Sequence, residues 1–293
     1  MGTRTNLRGI AAMLLAAASF SLMDTGLKLL SAHYPPVQVA ALRALASWPL
    51  VVAYVAWRGA FAGLLRVRWG LHLLRGAIGV MTLGMFAYAL RRLPLAEAYA
   101  IFFVAPLLIT MLSVPVLGER VERARWIAIV VGLCGVVVVL RPTGAGMFTL
   151  AGLAVLAAAV GYAVSAITVR IVHRTDSTEA LVFWLTTLVA LGAGAIAAPH
   201  WVAVRMDVDG WVLAGVAVTG LLGQVSITEA FRHGEASAIA PFEYSALAWA
   251  LLIDWLVWHS VPDGWTLGGA AIIIASGLYL VRHEQVHAEA EHP

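Results

Sequence analysis

LPLAEAYAIFFVAPLLITMLSVPVLGE, Leu93–Glu119, decides the fold. From Ala98 to Gly118 it runs 21 residues without a charge. As a helix rising 1.5 Å per residue, such a run covers about 31 Å, the thickness of a bilayer's hydrocarbon core. Working outward, apolar runs bounded by charge recur at 9–31, 36–57, 71–91, 94–117, 125–141, 150–173, 178–199, 210–232, 235–258 and 265–282. The connections are short, none beyond about 13 residues. Lipid offers no hydrogen-bond partner, so each run must satisfy its own backbone as a helix. The alternation expected of a membrane barrel is absent. The first run lacks a clean small-x-small cleavage site and reads as helix one, not as a signal peptide. The expected fold is an all-α membrane protein of ten transmembrane helices.

Composition agrees. Apolar residues make up 61% of the 293 positions and Asp, Glu, Lys and Arg only 12%, about half the charged share of a soluble domain. The net charge of +3 does not point to nucleic acid, because the basic residues cluster at helix ends, where they orient a chain in a membrane. Placing both termini in the cytoplasm puts Arg4, Arg8, Arg58, Arg66, Arg68, Arg75, Arg120, Arg123, Arg125, Arg170, Arg174, Arg232 and Arg282 on the inner side, 13 of the 19 basic residues. Lys28, Arg91, Arg92, Arg141 and Arg205 fall outside, and Arg43 lies within the second span. The expected location is the inner membrane. Cys134, the only cysteine, sits in the fifth span, which excludes an internal disulfide and a thiolate metal site.

The chain repeats itself at about 140 residues. RRLPLAEAYA, Arg91–Ala100, aligns with FRHGEASAIA, Phe231–Ala240, matching Arg92 with Arg232 and Ala96, Ala98 and Ala100 with Ala236, Ala238 and Ala240. Phe20 and Lys28 match Tyr162 and Arg170 in the same way. The expected division is therefore 1–143 and 144–293, five spans each. An odd number of spans inverts the second half relative to the first, and such pairs place a substrate site near the midplane between halves.

These residues resemble the EamA-type drug/metabolite transporters, nearest to amino-acid exporters of the YddG type. The resemblance rests on FSLMDTGLKLL from Phe20, YPPVQ from Tyr34, Arg43, the opening stretch through Glu119, IAPFEYSALAWALLIDWLVWHSVPD from Ile239 and GGAAIIIASGLYLV from Gly268. It covers essentially the whole chain and implies two inverted five-helix repeats around a central cavity. The implied cargo is a small metabolite, an aromatic or apolar amino acid first, with cation or drug efflux as the alternative. Glu243 departs from the pattern, since many relatives carry a basic residue there.

Glu243 is the carboxylate nearest the expected midplane. A charged group inside a span costs about 2.5–3.5 kcal/mol on insertion scales, so it faces the protein interior. It reads either as a contact for a substrate ammonium or a coupling proton, or as a neutral side chain bonded to a neighbouring helix. Asp24, Lys28 and Arg43 form an expected charge network, structural first, with Arg43 suited to a carboxylate if it meets substrate. Tyr88, Tyr99, Phe102, Phe103, Tyr162, Trp184, Tyr244 and Trp249 are candidates to line an apolar cavity or to pack helices. Pro106 and Pro241 are expected kinks that free backbone carbonyls.

No H-E-x-x-H, G-x-S-x-G or Walker loop occurs, and no loop is long enough to house a soluble catalytic domain. The chain reads as a transporter and not an enzyme, with no cofactor, a small-molecule substrate and the lipid bilayer as partners, and a dimer left open. A receptor or structural membrane protein is the competing class, disfavoured by the inverted repeat together with buried charge. No coupling motif is required or found, and the chain reads as a facilitator.

Overall fold

The computed structural model describes residues 3–31, 33–90, 101–140, 149–258, 264–265, 267–269, 271–276 and 279. Of the residues singled out above, Tyr99, Arg91, Arg92, Arg141 and Arg282 lie outside them, as do the side chains of Arg4 and Lys28. The described residues are helical throughout: α1 (Thr3–Ser31), α2 (Pro36–Trp57), α3 (Phe61–Leu64), α4 (Trp69–Leu90), α5 (Ala105–Leu117), α6 (Arg123–Leu140), α7 (Leu150–Val172), α8 (Thr178–Ala197), α9 (Met206–His233), α10 (Ala236–Ile239) and α11 (Ser245–Trp258). Five described helices are long and apolar enough to cross a membrane: Asn6–Leu27, Pro36–Trp57, Leu150–Val172, Thr178–His200 and Met206–His233.

Local chemistry fixes the helix ends. Pro36 opens α2 at a position where its missing N–H costs nothing. The side chains of Thr149 and Ser177 accept hydrogen bonds from the N–H groups of Gly152 and Ala180, capping α7 and α8. Gly118 ends α5 at φ +69°, a left-handed conformation that a side chain would strain.

The two sequence halves are interleaved. The broadest helix contacts are α1 on α9, α2 on α8 and α4 on α7, each joining a helix of the first half to one of the second. Large apolar residues such as Leu15, Leu22, Trp57, Leu153 and Leu191 stay on the outside, where lipid replaces water as solvent.

The expected fourth and ninth spans are interrupted. In the first half helical residues 101–102 are followed by a turn at Phe103–Val104, and α5 begins at Ala105. In the second half α10 gives way to a 3₁₀ turn, Ala240–Tyr244, before α11. Pro106 and Pro241, the expected kinks, lie at these irregularities. Each sits in the first turn of a new segment, where a proline displaces no helical hydrogen bond. The short α3 was also not expected from the sequence.

Candidate functional site

The two interruptions meet. Phe103 and Glu243 are 140 residues apart, the period of the repeat. The Phe103 ring stands edge-on to that of Tyr244, with centroids 5.9 Å apart at 64°. From the other side, Phe86, Phe102 and Tyr162 form a run of rings: Phe86 to Phe102 is 5.4 Å and Phe102 to Tyr162 is 5.6 Å. Tyr88 packs in the cluster behind them, with Ala89, Ile101 and Val155. The Tyr162 hydroxyl faces the carboxyl group of Glu243.

Polar atoms here lack partners. Glu243 Oε1, Tyr244 Oη and Ser245 Oγ are shut away from solvent without a hydrogen bond, although Glu243 as a residue is partly accessible. Unmade hydrogen bonds of buried groups cost about 1–3 kcal/mol each, and here three such atoms follow one another in sequence. No Lys, Arg or His among the described residues acts on Glu243. Gly132 of α6 lets Tyr244 lie against the backbone, because a Cβ there would stand 2.6 Å from the ring. Ser21 of α1 ties the start of α11 to α1 through Ala246 O at 3.3 Å.

Other expected residues lie elsewhere. The Trp184 indole donates to Leu64 O at 2.8 Å and its ring meets Trp69 at 4.5 Å, in a cluster near the start of α8. The structure does not bring it to Glu243. The Arg43 guanidinium lies 5.7 Å from the Phe20 ring centroid, with Asp24 the charged group acting on it. Trp249 is exposed on α11. Sequence reasoning missed Phe86 and Ser245, which carry neither charge nor repeat symmetry to single them out.

At the arginine-rich end of the bundle ion pairs and hydrogen bonds tie the helices together. Glu119 accepts from the Ala236 N–H at 2.9 Å and pairs with Arg170 at 3.4 Å. Arg125 pairs with Glu235, whose N–H donates to Asn6 Oδ1 at 2.9 Å. Arg58 pairs with Glu179 at 2.9 Å. Asp176 accepts from the Arg68 N–H at 3.0 Å and from the Thr175 hydroxyl at 2.6 Å, and lies 2.9 Å from His72 Nε2. Burial pushes the Asp176 carboxyl up, and these hydrogen bonds together outweigh it and hold the group below the usual carboxylate range. Above this belt Ile10, Met13, Ile167, Val172, Phe231, Ile239 and Phe242 pack into a buried cluster. At the opposite end each bond joins a loop residue to the first turns of a helix: Tyr34 donates to Asp209 of α9 at 2.6 Å, and Gln38 of α2 exchanges hydrogen bonds with Val202 at 2.5 and 2.8 Å.

Comparison with known proteins gives the family. The EamA-like transporter family matches residues 7–141 and again residues 149–282. The chain is 27% identical over 274 residues to the pseudopaline exporter of Pseudomonas aeruginosa, covering 94% of this chain and 96% of that one. It is 28% identical to a riboflavin transporter of Vibrio cholerae, covering 97% and 96%, and 27% identical to an S-adenosylmethionine uptake transporter of Rickettsia prowazekii, covering 99% and 97%. A solved crystal structure shares the fold at a TM-score of 0.79 and 22% identity, over 97% of this chain and 99% of its own. With its ten transmembrane helices in two five-helix repeats of inverted topology, the chain belongs to the EamA-like transporter family.

Proposed function

We propose that the chain is a secondary transporter that carries a small metabolite out of the cytoplasm, an amino acid with an aromatic or apolar side chain first. The observation that supports this reading is the meeting of two repeat-related helix breaks at an aromatic wall that holds one carboxyl group. Backbone freed by such breaks and stacking rings suit a flat or apolar cargo, while the carboxyl suits its ammonium group. Riboflavin and S-adenosylmethionine, named for two relatives, both present flat rings, and the second also carries an ammonium.

In this reading residues 1–143 and 144–293 are inverted repeats that exchange conformations. The arginine-rich end faces the cytoplasm with both termini, the membrane is the inner one, and the conformation described is closed inward. Proteoliposomes loaded with unlabelled Phe, Trp, Met or Thr should take up the labelled amino acid faster than protein-free liposomes. No acceleration with any of them, from folded protein, overturns the amino-acid reading in favour of cation or drug efflux. The name of the S-adenosylmethionine uptake transporter favours a second reading, uptake, and the sidedness of transport in oriented vesicles separates the two directions.

A further inference from the structure

The proposed cargo site holds an acid with no counter-ion among the described residues, and that has a chemical consequence. Glu243 lies on the turn between α10 and α11, its Oε1 sealed from solvent and without a partner. The groups that reach it from neighbouring elements are few. Tyr162 of α7 faces it, Tyr244 stands beside it, and Cys134 of α6 lies next to Tyr244. α5 and α10 carry no titratable residue. On α6 the remaining ones are Arg123 and Arg125 in the first turn, the latter engaged with Glu235. On α1 Asp24 acts on Arg43, Arg8 lies one turn from the arginine-rich end and Lys28 near the other, while Asp254 of α11 is eleven residues on. None of the described side chains offers a positive charge to the Glu243 carboxyl.

An unpaired carboxylate in a low-dielectric site is costly enough that the group takes up a proton or a cation. We propose that Glu243 holds a proton which leaves when a cationic nitrogen of the cargo binds, so that cargo and proton exchange at one carboxyl and transport is driven by the proton gradient. The balance is simple: the O–H bond of the carboxylic acid breaks, its proton passes to water in the open cavity, and the carboxylate left behind pairs with the ammonium. One positive charge leaves as one arrives. Under this proposal an exchanger takes the place of the facilitator expected from sequence, since no described basic side chain faces the acid. The inference rests on the proposed cargo site at the helix breaks.

The test uses L-phenylalaninamide, a cation with an aromatic body, titrated into full-length protein in detergent at mildly acidic pH. Calorimetry in two buffers of different protonation enthalpy counts protons released per molecule bound. About one proton per amide is expected for the wild type, and none for Glu243→Gln at weaker affinity. Wild-type binding without proton release overturns the exchange while leaving the cargo site standing, as does release that persists in Glu243→Gln. Absence of any binding overturns the cargo site itself and the exchange with it. A measurement on the wild type alone avoids reliance on the variant's folding. Dicyclohexylcarbodiimide, which adds to protonated carboxyl groups in apolar surroundings, should label Glu243, and the amide and raised pH should each suppress the label. A Glu243 left unlabelled in active protein overturns the proposal.

Discussion

Glu119→Ala should unlock the arginine-rich end. In the structure, which the proposed function reads as closed inward, the Glu119 carboxylate holds Arg170 at 3.4 Å and the Ala236 N–H at 2.9 Å, with side chains only 6% and 13% exposed for Glu119 and Arg170. It thus pins the end of α5 to α7 and to the start of α10. Breaking a buried pair from one side costs about 3–5 kcal/mol. The long N···O distance and the partial solvation of Arg170 place this one at the lower end, about 3 kcal/mol, which is roughly a 100-fold shift in an equilibrium constant. If the contact exists only in the closed conformation, the whole of that shift favours opening. A reporter is Ile239→Cys, fully buried in the cluster behind the belt, in a Cys134→Ser background that removes the only native thiol. Its alkylation by N-ethylmaleimide, in protein that stays monodisperse, should quicken roughly 100-fold with Glu119→Ala, in proportion to the open population. Glu119→Gln keeps an acceptor for Ala236 and should quicken it less. A rate within about twofold of the parent would refute the view that this belt closes the pathway.

Further outcomes follow from the same contacts. Asp176→Asn should lower the melting temperature in detergent, since Arg68 and His72 lose a charged acceptor, a loss of about 1.5–3 kcal/mol per bond. Because the folded Asp176 carboxyl is held low, its contribution is present above the unfolded pKa of about 3.9 and lost as the pH falls through the lower folded value. The Asp176 component of wild-type melting should therefore be level from neutral pH to mild acid and fall only in strong acid, and the variant should lack that component. Gly132→Ala places a methyl group 2.6 Å from the buried Tyr244 ring, and overpacking of about 1–3 kcal/mol should displace it and weaken cargo affinity; unchanged affinity would free Tyr244 from the site. Tyr162→Phe should leave folded yield intact and reduce affinity for amine cargo several-fold, measured by equilibrium binding. Arg43→Gln tests the outer charge network: a fully folded protein selectively defective for carboxylate-bearing cargo would count against its structural role.

Much of this was legible in the chain, and for a physical reason. Charge-bounded apolar runs gave α2 at 36–57 and α7 to within a residue, because the solvent of a membrane helix is lipid and its ends are where charge becomes affordable. Glu243 stood out because a charge inside a run is costly. The helix breaks were not legible, since Pro106 and Pro241 read equally well as kinks, and only three-dimensional packing decides whether a new segment begins there. Trp184 misled for a related reason: an aromatic on an apolar helix can face any neighbour, and rotation of α8 turns it to Leu64. The aromatic run through Phe86 and Phe102 depends likewise on how α4 and α7 rotate against each other.

The most direct test of the pathway is to lock the two helix breaks together. Phe103 and Tyr244 face each other across them with ring centroids 5.9 Å apart, so Phe103→Cys with Tyr244→Cys, in the Cys134→Ser background, brings two thiols to the meeting point. Counterflow of labelled L-phenylalanine into proteoliposomes should proceed while the pair is reduced, more slowly than in the parent because both rings belong to the proposed cargo site, stop when copper phenanthroline joins it, and resume on addition of dithiothreitol. Transport at an undiminished rate by fully crosslinked protein would contradict the account, since cargo would then be crossing the membrane by a route that does not pass between the two breaks.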